Sequence, residues 1–427
     1  MRKKIYQFRK SISLFFLFLA LKINNHSLCA FIIWLNIRKF KQIKYINKNQ
    51  KKILVFSKSG GNEDLIESFR NQKNNNIIFF WIPRSFLKKI FFYHFKKSRI
   101  DHYFTKPINL SEINKKKLYV KFLTSIFSSL NQYLKLDGFI SFNIFYYSEK
   151  YFEDVCKNLN KKFIVLHKES TFTPIEEENA SKVYKKYNDK SLSYKISVYS
   201  ESQKKILIDS KIASKKQITV NGCPRSDYSF RLRKIKPQKR IIVFYLIENF
   251  RGSDIISRGF KVNWNKLHNQ TLNYLIEYAK NNSNVKVILK GKTGVHKTNQ
   301  FKSKLFPKNC KFIDGGTGDK FLKDAKIIIA FNSTIVFEGI ASNRNLIIPN
   351  FNSENKLKKN FTYKIENRKY FANSKKQFNK MIDGYLDSKY INEKISNKDK
   401  KILKYYLGNS DGKSGEKLRK FINKIIN

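Results

Sequence analysis

Ser333, Thr334 and Glu338 are spaced for chemistry on a phosphorylated ligand. They fall within Lys326–Pro349 (KIIIAFNSTIVFEGIASNRNLIIP). This stretch reads as a buried strand (Ile327–Phe331), a polar turn (Asn332, Ser333), a helix (Thr334–Ala341) and a second apolar strand (Asn345–Pro349). Together these make a βαβ unit. Its polar turn lies at the carboxyl end of the first strand, the edge where open α/β sheets take ligands. Backbone N–H groups at a helix start attract phosphate, and two hydroxyls add donors. Helical side chains lean toward the N-terminus, which places the Glu338 carboxylate, one turn on, to take a sugar hydroxyl pair beside that phosphate. The set reads as half of a nucleotide-sugar site. An ordinary crossover with a Ser/Thr helix cap would carry the same residues.

The elements that must position these residues alternate strand with helix. Ile53–Phe56 is a strand, Ser57–Asn62 a turn with two glycines, and Glu63–Asn71 a helix, followed by a strand at Asn76–Ile82. Lys115–Leu136 and Ser148–Leu159 read as helices; Gly138–Phe142, Lys162–Leu166, Lys195–Tyr199 and Ile218–Val220 read as strands, with Glu201–Ser210 a further helix. The pattern restarts after a polar, basic segment. Ile241–Ile247, Val285–Lys290 and Cys310–Ile313 are strands, and Leu267–Asn281 is a helix. Helical periodicity returns in Lys375–Leu386 and Lys400–Ile426. The expected class is α/β with two Rossmann-like, doubly wound lobes and a cleft between them. The expected segments are a helical extension (1–50), a first lobe (51–230), a linker (231–240), a second lobe (241–375) and terminal helices (376–427).

With 427 residues the chain is long enough for two or three domains, and 41% hydrophobic and 15% aromatic content excludes a disordered chain. The net charge of +55 points toward polyanions. The excess is mostly Lys, spread along the chain in company with Asn, Ile, Phe and Tyr, which is the residue bias of A+T-rich codons. A dedicated nucleic-acid binder clusters its basic residues on one element, so no specific nucleic acid is expected. Phosphorylated ligands and an anionic membrane surface remain favoured partners. Cys29, Cys156, Cys223 and Cys310 are too far apart for a metal-ligand pair and fit a reducing cytoplasm. Two short apolar runs, Ile12–Leu21 and Leu28–Ile37, follow basic residues; neither approaches the roughly 20 residues needed to span a bilayer. They read as two helices that pack on the protein or lie in a membrane interface, with a targeting segment as the competing reading. The expected location is cytoplasmic, at the inner face of the membrane if those helices bind it.

Three segments taken in order, Leu166–Pro174 (LHKESTFTP), Val220–Asp227 (VNGCPRSD) and Ala330–Ile340 (AFNSTIVFEGI), resemble glycosyltransferases of the GT-B fold. The resemblance is to bacterial capsule and surface-polysaccharide biosynthesis proteins, and more distantly to the glycerophosphotransferases that build teichoic acid. It covers about residues 160–350. It implies a nucleotide-activated sugar donor held by the second lobe, and a saccharide or lipid-linked saccharide acceptor held by the first. Ser333, Thr334 and Glu338 would then hold donor phosphate and ribose. Lys290 matches a strand-end lysine whose usual proline and histidine neighbours are here Gly291 and Lys292. Related sugar-nucleotide 2-epimerases carry an aspartate-serine-glycine-glycine turn where this chain has Phe331-Asn332-Ser333-Thr334, which argues against epimerase chemistry.

His167 and Glu169 follow a strand where a first-lobe base would sit. Inverting transfer needs a base to take the acceptor proton, and either side chain suits that role. The competing reading is a satisfied strand-end histidine with Glu169 paired to a neighbour. Gly60 and Gly61 permit close approach of a ligand phosphate, or simply make a turn. Arg225 could reach a diphosphate, or be held structurally by Asp227 or a carbonyl. The loop Asp314–Gly318 is a candidate rest for the nucleotide base. Lys292, His296 and Lys297 form a basic loop. No metal or cofactor is expected, since no Asp-x-Asp pair stands where donor binding would need one. Two alternatives remain: transfer of a polyol phosphate from a cytidine nucleotide, and a non-catalytic basic protein binding polyanion or membrane.

Overall fold

The computed structural model describes residues 2–45, 50–70, 72, 75–95, 106, 109–168, 171–237, 240–247, 250–251, 256, 262–292, 306–316, 318–351, 362–389 and 394–426. The chain forms two compact units. The first comprises Met1–Ser170, Ser181–Arg225 and Ser414–Asn427; the second comprises Thr171–Ala180 and Ser226–Lys413. The division falls just ahead of the expected 231–240 linker, and a short helix, Asp227–Leu232, opens the main part of the second unit.

The first unit is built on seven strands: β1 (Arg38–Lys39), β2 (Lys51–Ser57), β3 (Ile77–Pro83), β4 (Gly138–Ser141), β5 (Lys162–Leu166), β6 (Lys195–Val198) and β7 (Ile218–Val220). Their order is β1-β3-β2-β4-β5-β6-β7. Only β1 runs antiparallel, at the edge, pairing Arg38 with Trp81. The inner strands are continuous apolar runs because helices cover both faces of a parallel sheet. Ile53–Phe56 are fully buried, and Ile53, Leu54 and Val55 pair with Gly138, Phe139 and Ile140. The chain leaves β2 toward β3, then reappears on the other side of β2 as β4, so the order reverses between β2 and β4.

The two N-terminal runs are helices, Arg2–Lys22 and His26–Leu35, both part of the first unit. The expected helix Lys400–Ile426 is instead two, Asn397–Leu407 and Ser414–Ile426. Gly408, left-handed at φ +72°, ends the former. The latter belongs to the first unit rather than to a separate tail. Its apolar positions at i, i+4, i+7 and i+8 (Leu418, Ile422, Ile425, Ile426) join the core formed by Ile53, Val55, Leu65 and Phe69.

The second unit carries six parallel strands: β8 (Ile241–Tyr245), β11 (Lys286–Lys290), β12 (Cys310–Ile313), β13 (Ile327–Ile329), β14 (Asn345–Pro349) and β15 (Phe371–Ala372). β9 (Phe250–Arg251) and β10 (Val262–Asn263) form a separate antiparallel ribbon. The main sheet runs β12-β11-β8-β13-β14-β15, so its order reverses between β8 and β13. Two Rossmann-like units in one chain are the plan that the GT-B resemblance implied.

Ile422 is fully buried in the first unit's core. Ile422→Ala should cost about 2–5 kcal/mol through lost burial and the cavity left behind. Denaturant unfolding followed by tryptophan emission reads it, since Trp81 packs against the same cluster. An unchanged midpoint would mean that the last helix is not part of that core.

Candidate functional site

A cavity of about 360 Å³ opens at the carboxyl edge of the second unit. Small-molecule sites span roughly 300–1,000 Å³. Its walls come from the residues that follow β8 (Leu246, Ile247) and those that follow β13 (Asn332, Ser333, Thr334), together with Thr171, Trp264, Lys292 and Tyr363. It therefore sits at the point where the strand order reverses, the place where an open sheet leaves a crevice. β13 is short, ending at Ile329 rather than at the expected Phe331. Ala330 and Phe331 stay buried, and Asn332 turns the chain with a left-handed φ of +48°. Asparagine tolerates that region better than most residues. Among the described residues neither the amide oxygen nor the amide nitrogen of Asn332 has a hydrogen-bond partner, although both atoms are inaccessible. A buried amide without partners costs free energy unless something supplies them. Thr334 stands at the helix start without making a side-chain cap bond, and it lines the cavity together with Ser333. Trp264 and Tyr363 are the aromatic residues of the lining; behind Trp264, Phe331 lies 6.0 Å from it and 6.4 Å from Phe244, the latter stacked. The lining offers hydroxyl and ammonium donors for an anion together with the Trp264 and Tyr363 rings.

Other residues expected at this site lie elsewhere. Glu338 is half-buried in the helix Ile335–Ala341 and does not line the cavity. Lys290 is buried at the end of β11, its ammonium bonded to the Gly291 carbonyl; burial lowers its pKa, opposed by Asp314. It is a packed strand-end lysine rather than a ligand group. In the loop after β12, Gly315 and Gly316 take left-handed φ values of +75° and +76°, and Gly318 accepts from the Tyr245 hydroxyl at 2.8 Å. His296 and Lys297 fall outside the described residues.

The first unit treats its own reversal point differently. The turn after β2 is closed on itself. The Gly60 N–H donates to Glu63 at 2.6 Å in a capping box, and Asn62 donates to Ser57 Oγ at 2.8 Å. A Cβ on Gly61 would fall 2.2 Å from the Phe142 ring, and Phe142 follows β4 fully buried. The glycines thus serve packing and a left-handed turn (Gly60, φ +84°), and the expected phosphate loop is a plugged crevice. Arg225 seals it further. Its Nη1 donates to Asp64 Oδ2 (3.1 Å), to the Tyr199 hydroxyl (2.7 Å) and to the Gly60 carbonyl (3.2 Å), and its backbone N–H donates to Asp64 Oδ1 (2.9 Å). Asp64 is thus an acidic partner, and the Gly60 carbonyl is the backbone acceptor that the sequence reading allowed. Arg225 is therefore a structural arginine of the first unit rather than a diphosphate ligand. His167 is fully buried, its ring edge-on to Phe145 at 5.6 Å, so the expected base is a core residue here. Glu169 lies outside the described residues.

Sequence reasoning missed a second buried charge set on this edge. Arg84, directly after β3, bonds the Glu149 carboxylate and stacks 3.6 Å over the Tyr146 ring; Ser141 at the end of β4 donates to the same carboxylate. Burial raises the Glu149 pKa, opposed first by Arg84 and then by the Ser141 hydrogen bond. An arginine immediately following an apolar strand was the available signal. Among the described residues no cluster of His, Cys, Asp or Glu is arranged to hold a metal.

No protein-family model matches the chain, and no curated protein matches its sequence. Solved structures similar to it include the wall teichoic acid polymerase TagF, at 11% identity and a TM-score of 0.47, with 99% of this chain and 98% of that chain covered. UDP-N-acetylglucosamine 2-epimerase from Rickettsia bellii aligns at 12% identity and a TM-score of 0.44, covering 88% and 95%. A trehalose-6-phosphate protein from E. coli bound with UDP-2-fluoro glucose aligns at 10% identity and 0.45, covering 88% and 99%. The chemistry of the site rests on the chain's own residues.

Arg225→Ala should destabilise the protein by about 3–5 kcal/mol, because it strands the buried Asp64 carboxylate. Burial already raises the Asp64 pKa above its ordinary 3.8, and Arg225 is the largest opposing influence. A carboxyl with a raised folded pKa contributes most below its unfolded value and loses that contribution as pH rises through the folded one. The variant should therefore lose stability with rising pH more steeply than the parent. Denaturant midpoints across the acid range check the sign; parallel pH profiles would rule it out.

Proposed function

We propose that this chain is a transferase that takes a group from a nucleotide-activated sugar donor in the assembly of a bacterial surface polysaccharide. The observation that carries the reading is the second unit's crevice, which Asn332, with its amide unpartnered, lines together with Ser333 and Thr334 at the strand-order reversal. In this reading the donor diphosphate takes its hydrogen bonds from Ser333, Thr334 and the helix start, with Lys292 adding positive charge. The Asn332 amide, once its side chain rotates toward the cavity, binds a hydroxyl or a base edge, since it can both donate and accept. The rings of Trp264 and Tyr363 give an apolar face for the base or the sugar. Preorganised donors aimed at the leaving diphosphate stabilise the charge that develops as the glycosyl bond breaks. The first unit is assigned the acceptor, a saccharide or a lipid-linked saccharide.

Binding of UDP, GDP or CDP at about 100 times its dissociation constant should stabilise the protein by about 2.7 kcal/mol, read as a rise in melting temperature. A response to CDP alone would favour polyol-phosphate transfer from a cytidine nucleotide over glycosyl transfer. Asn332→Gly, which keeps the left-handed φ, should weaken nucleotide binding about tenfold, or about 1.4 kcal/mol, with little loss of fold stability, because the amide makes no internal bond among the described residues. A protein indifferent to all three nucleotides would end the proposal.

A further inference from the structure

The first helix is apolar on two faces. Leu17, Ala20 and Leu21 are buried against the first unit. Ile5, Phe8, Ile12, Phe15, Phe16 and Leu19 are exposed, with Phe8 70% and Phe15 59% accessible. These six recur at helical spacing and share a sector of about 100°. The second helix repeats the arrangement: Cys29, Ala30, Ile32 and Ile33 face inward, while Leu28, Phe31, Trp34 and Leu35 face outward. The helices run antiparallel through the turn at Asn24, and Arg9 on the first donates to the Leu35 carbonyl of the second at 3.2 Å. Phe31 stacks on Trp34, which meets the exposed Tyr133 ring at 6.1 Å. Solvated helices do not ordinarily turn a row of Phe, Ile and Leu toward water; a contiguous apolar surface of this kind marks something that covers it.

The charge around the stripe selects the partner. No Asp or Glu precedes Glu63 in the sequence. Arg9 and Lys22 flank the stripe on either side, with Lys22 5.0 Å and Lys89 4.4 Å from the centre of the Phe18 ring. Basic residues bordering apolar and aromatic side chains, with no acid among them, match a surface that is anionic above and hydrocarbon below. Tryptophan and tyrosine at its edge suit the headgroup level. Among the described residues no helix is long and apolar enough to cross a membrane, so the fit is to lying in one leaflet. We infer that the helices Arg2–Lys22 and His26–Leu35 form a docking face for an anionic phospholipid bilayer, with the ring row inserted at the acyl boundary. This goes beyond the donor proposal and stands without it.

Flotation of the full chain with vesicles of phosphatidylglycerol and phosphatidylcholine, mixed about one part to three, tests the inference without any nucleotide. The wild type should float with these vesicles and remain behind with phosphatidylcholine alone. The double variant Phe15→Glu/Phe31→Glu, at two exposed sites, should lower the partition coefficient about tenfold or more. Neutralising Lys398, Lys400 and Lys401, exposed on a helix of the second unit, should change it less than about twofold. Brominated acyl chains should quench emission from the unmodified protein, and quench Trp34→Phe less, which needs no destabilising substitution. Three results would overturn the inference: no flotation, flotation that the Phe variant leaves intact, or sedimentation showing a dimer that the Phe variant dissociates, since a second copy would then cover the face.

Discussion

The reversal of strand order within each sheet governs what each unit can do. Where successive crossovers depart in opposite directions, no helix can close the carboxyl ends of the two central strands, and a crevice follows. The second unit leaves it open. β13 stops early, Asn332 bends the chain away, and the Phe244–Phe331–Trp264 rings pack on one another, with Trp264 alone of the three lining the cavity. The first unit has the same topology and the opposite outcome. Phe142 fills the space that Gly61 vacates, and the Gly60 N–H, which a phosphate would need, is already committed to Glu63. Topology supplies the opportunity in both units, and side-chain volume decides whether it is kept.

The two buried ion pairs of the first unit follow from that closure. A carboxylate removed from water is tolerable only when several donors replace the solvent. Asp64 has the Arg225 guanidinium and backbone N–H and the Tyr199 hydroxyl; Glu149 has Arg84 and Ser141. Each set ties the end of one strand to a helix or a loop after another. Asp64 is held to β2's helix and Arg225 follows β7, so the pair fastens the central strand to the far edge of the sheet. A network of this kind favours one arrangement of its loops over others, because any slip leaves a charge buried without its partners.

The strands were legible because a parallel sheet buried on both faces demands uninterrupted apolar runs, and Ile53–Phe56, Lys162–Leu166 and Ile241–Tyr245 supply them. The helix Ser85–His94 is not among the expected elements although Phe86, Leu87, Ile90 and Phe91 recur at helical spacing; it follows directly on an apolar strand, which masks the change of period. The helix Pro174–Tyr187 opens on Pro and three glutamates, with few apolar positions to reveal it. Partners far apart in sequence were not legible at all. Arg225 and Asp64 are separated by 161 residues, and Arg84 and Glu149 by 65. The glycines at 60 and 61 correctly marked a close approach, but what approaches is a phenylalanine of the same chain. At the second unit's crevice the motif was legible and its geometry only partly so. Ser333 and Thr334 face the cavity as the spacing required, whereas Glu338 does not line it, and Trp264 enters from a segment with no signal of its own.

Net charge illustrates the difference between a total and a distribution. An excess of +55 spread over the chain carries little information, because a compositional bias toward lysine would produce it with no partner selected. What composition alone does not produce is the placement of two-faced apolar helices inside the longest acid-free stretch of the N-terminal region, with arginine and lysine bordering the outward face and rings filling it. Burial explains the inward face of each helix. It cannot explain Phe8, Phe15 and Trp34, whose exposure to water costs free energy in proportion to apolar area. That cost disappears if the face meets hydrocarbon, and the surrounding cations then meet lipid phosphate instead of one another. The same lysines that say nothing when summed become informative once their neighbours are specified.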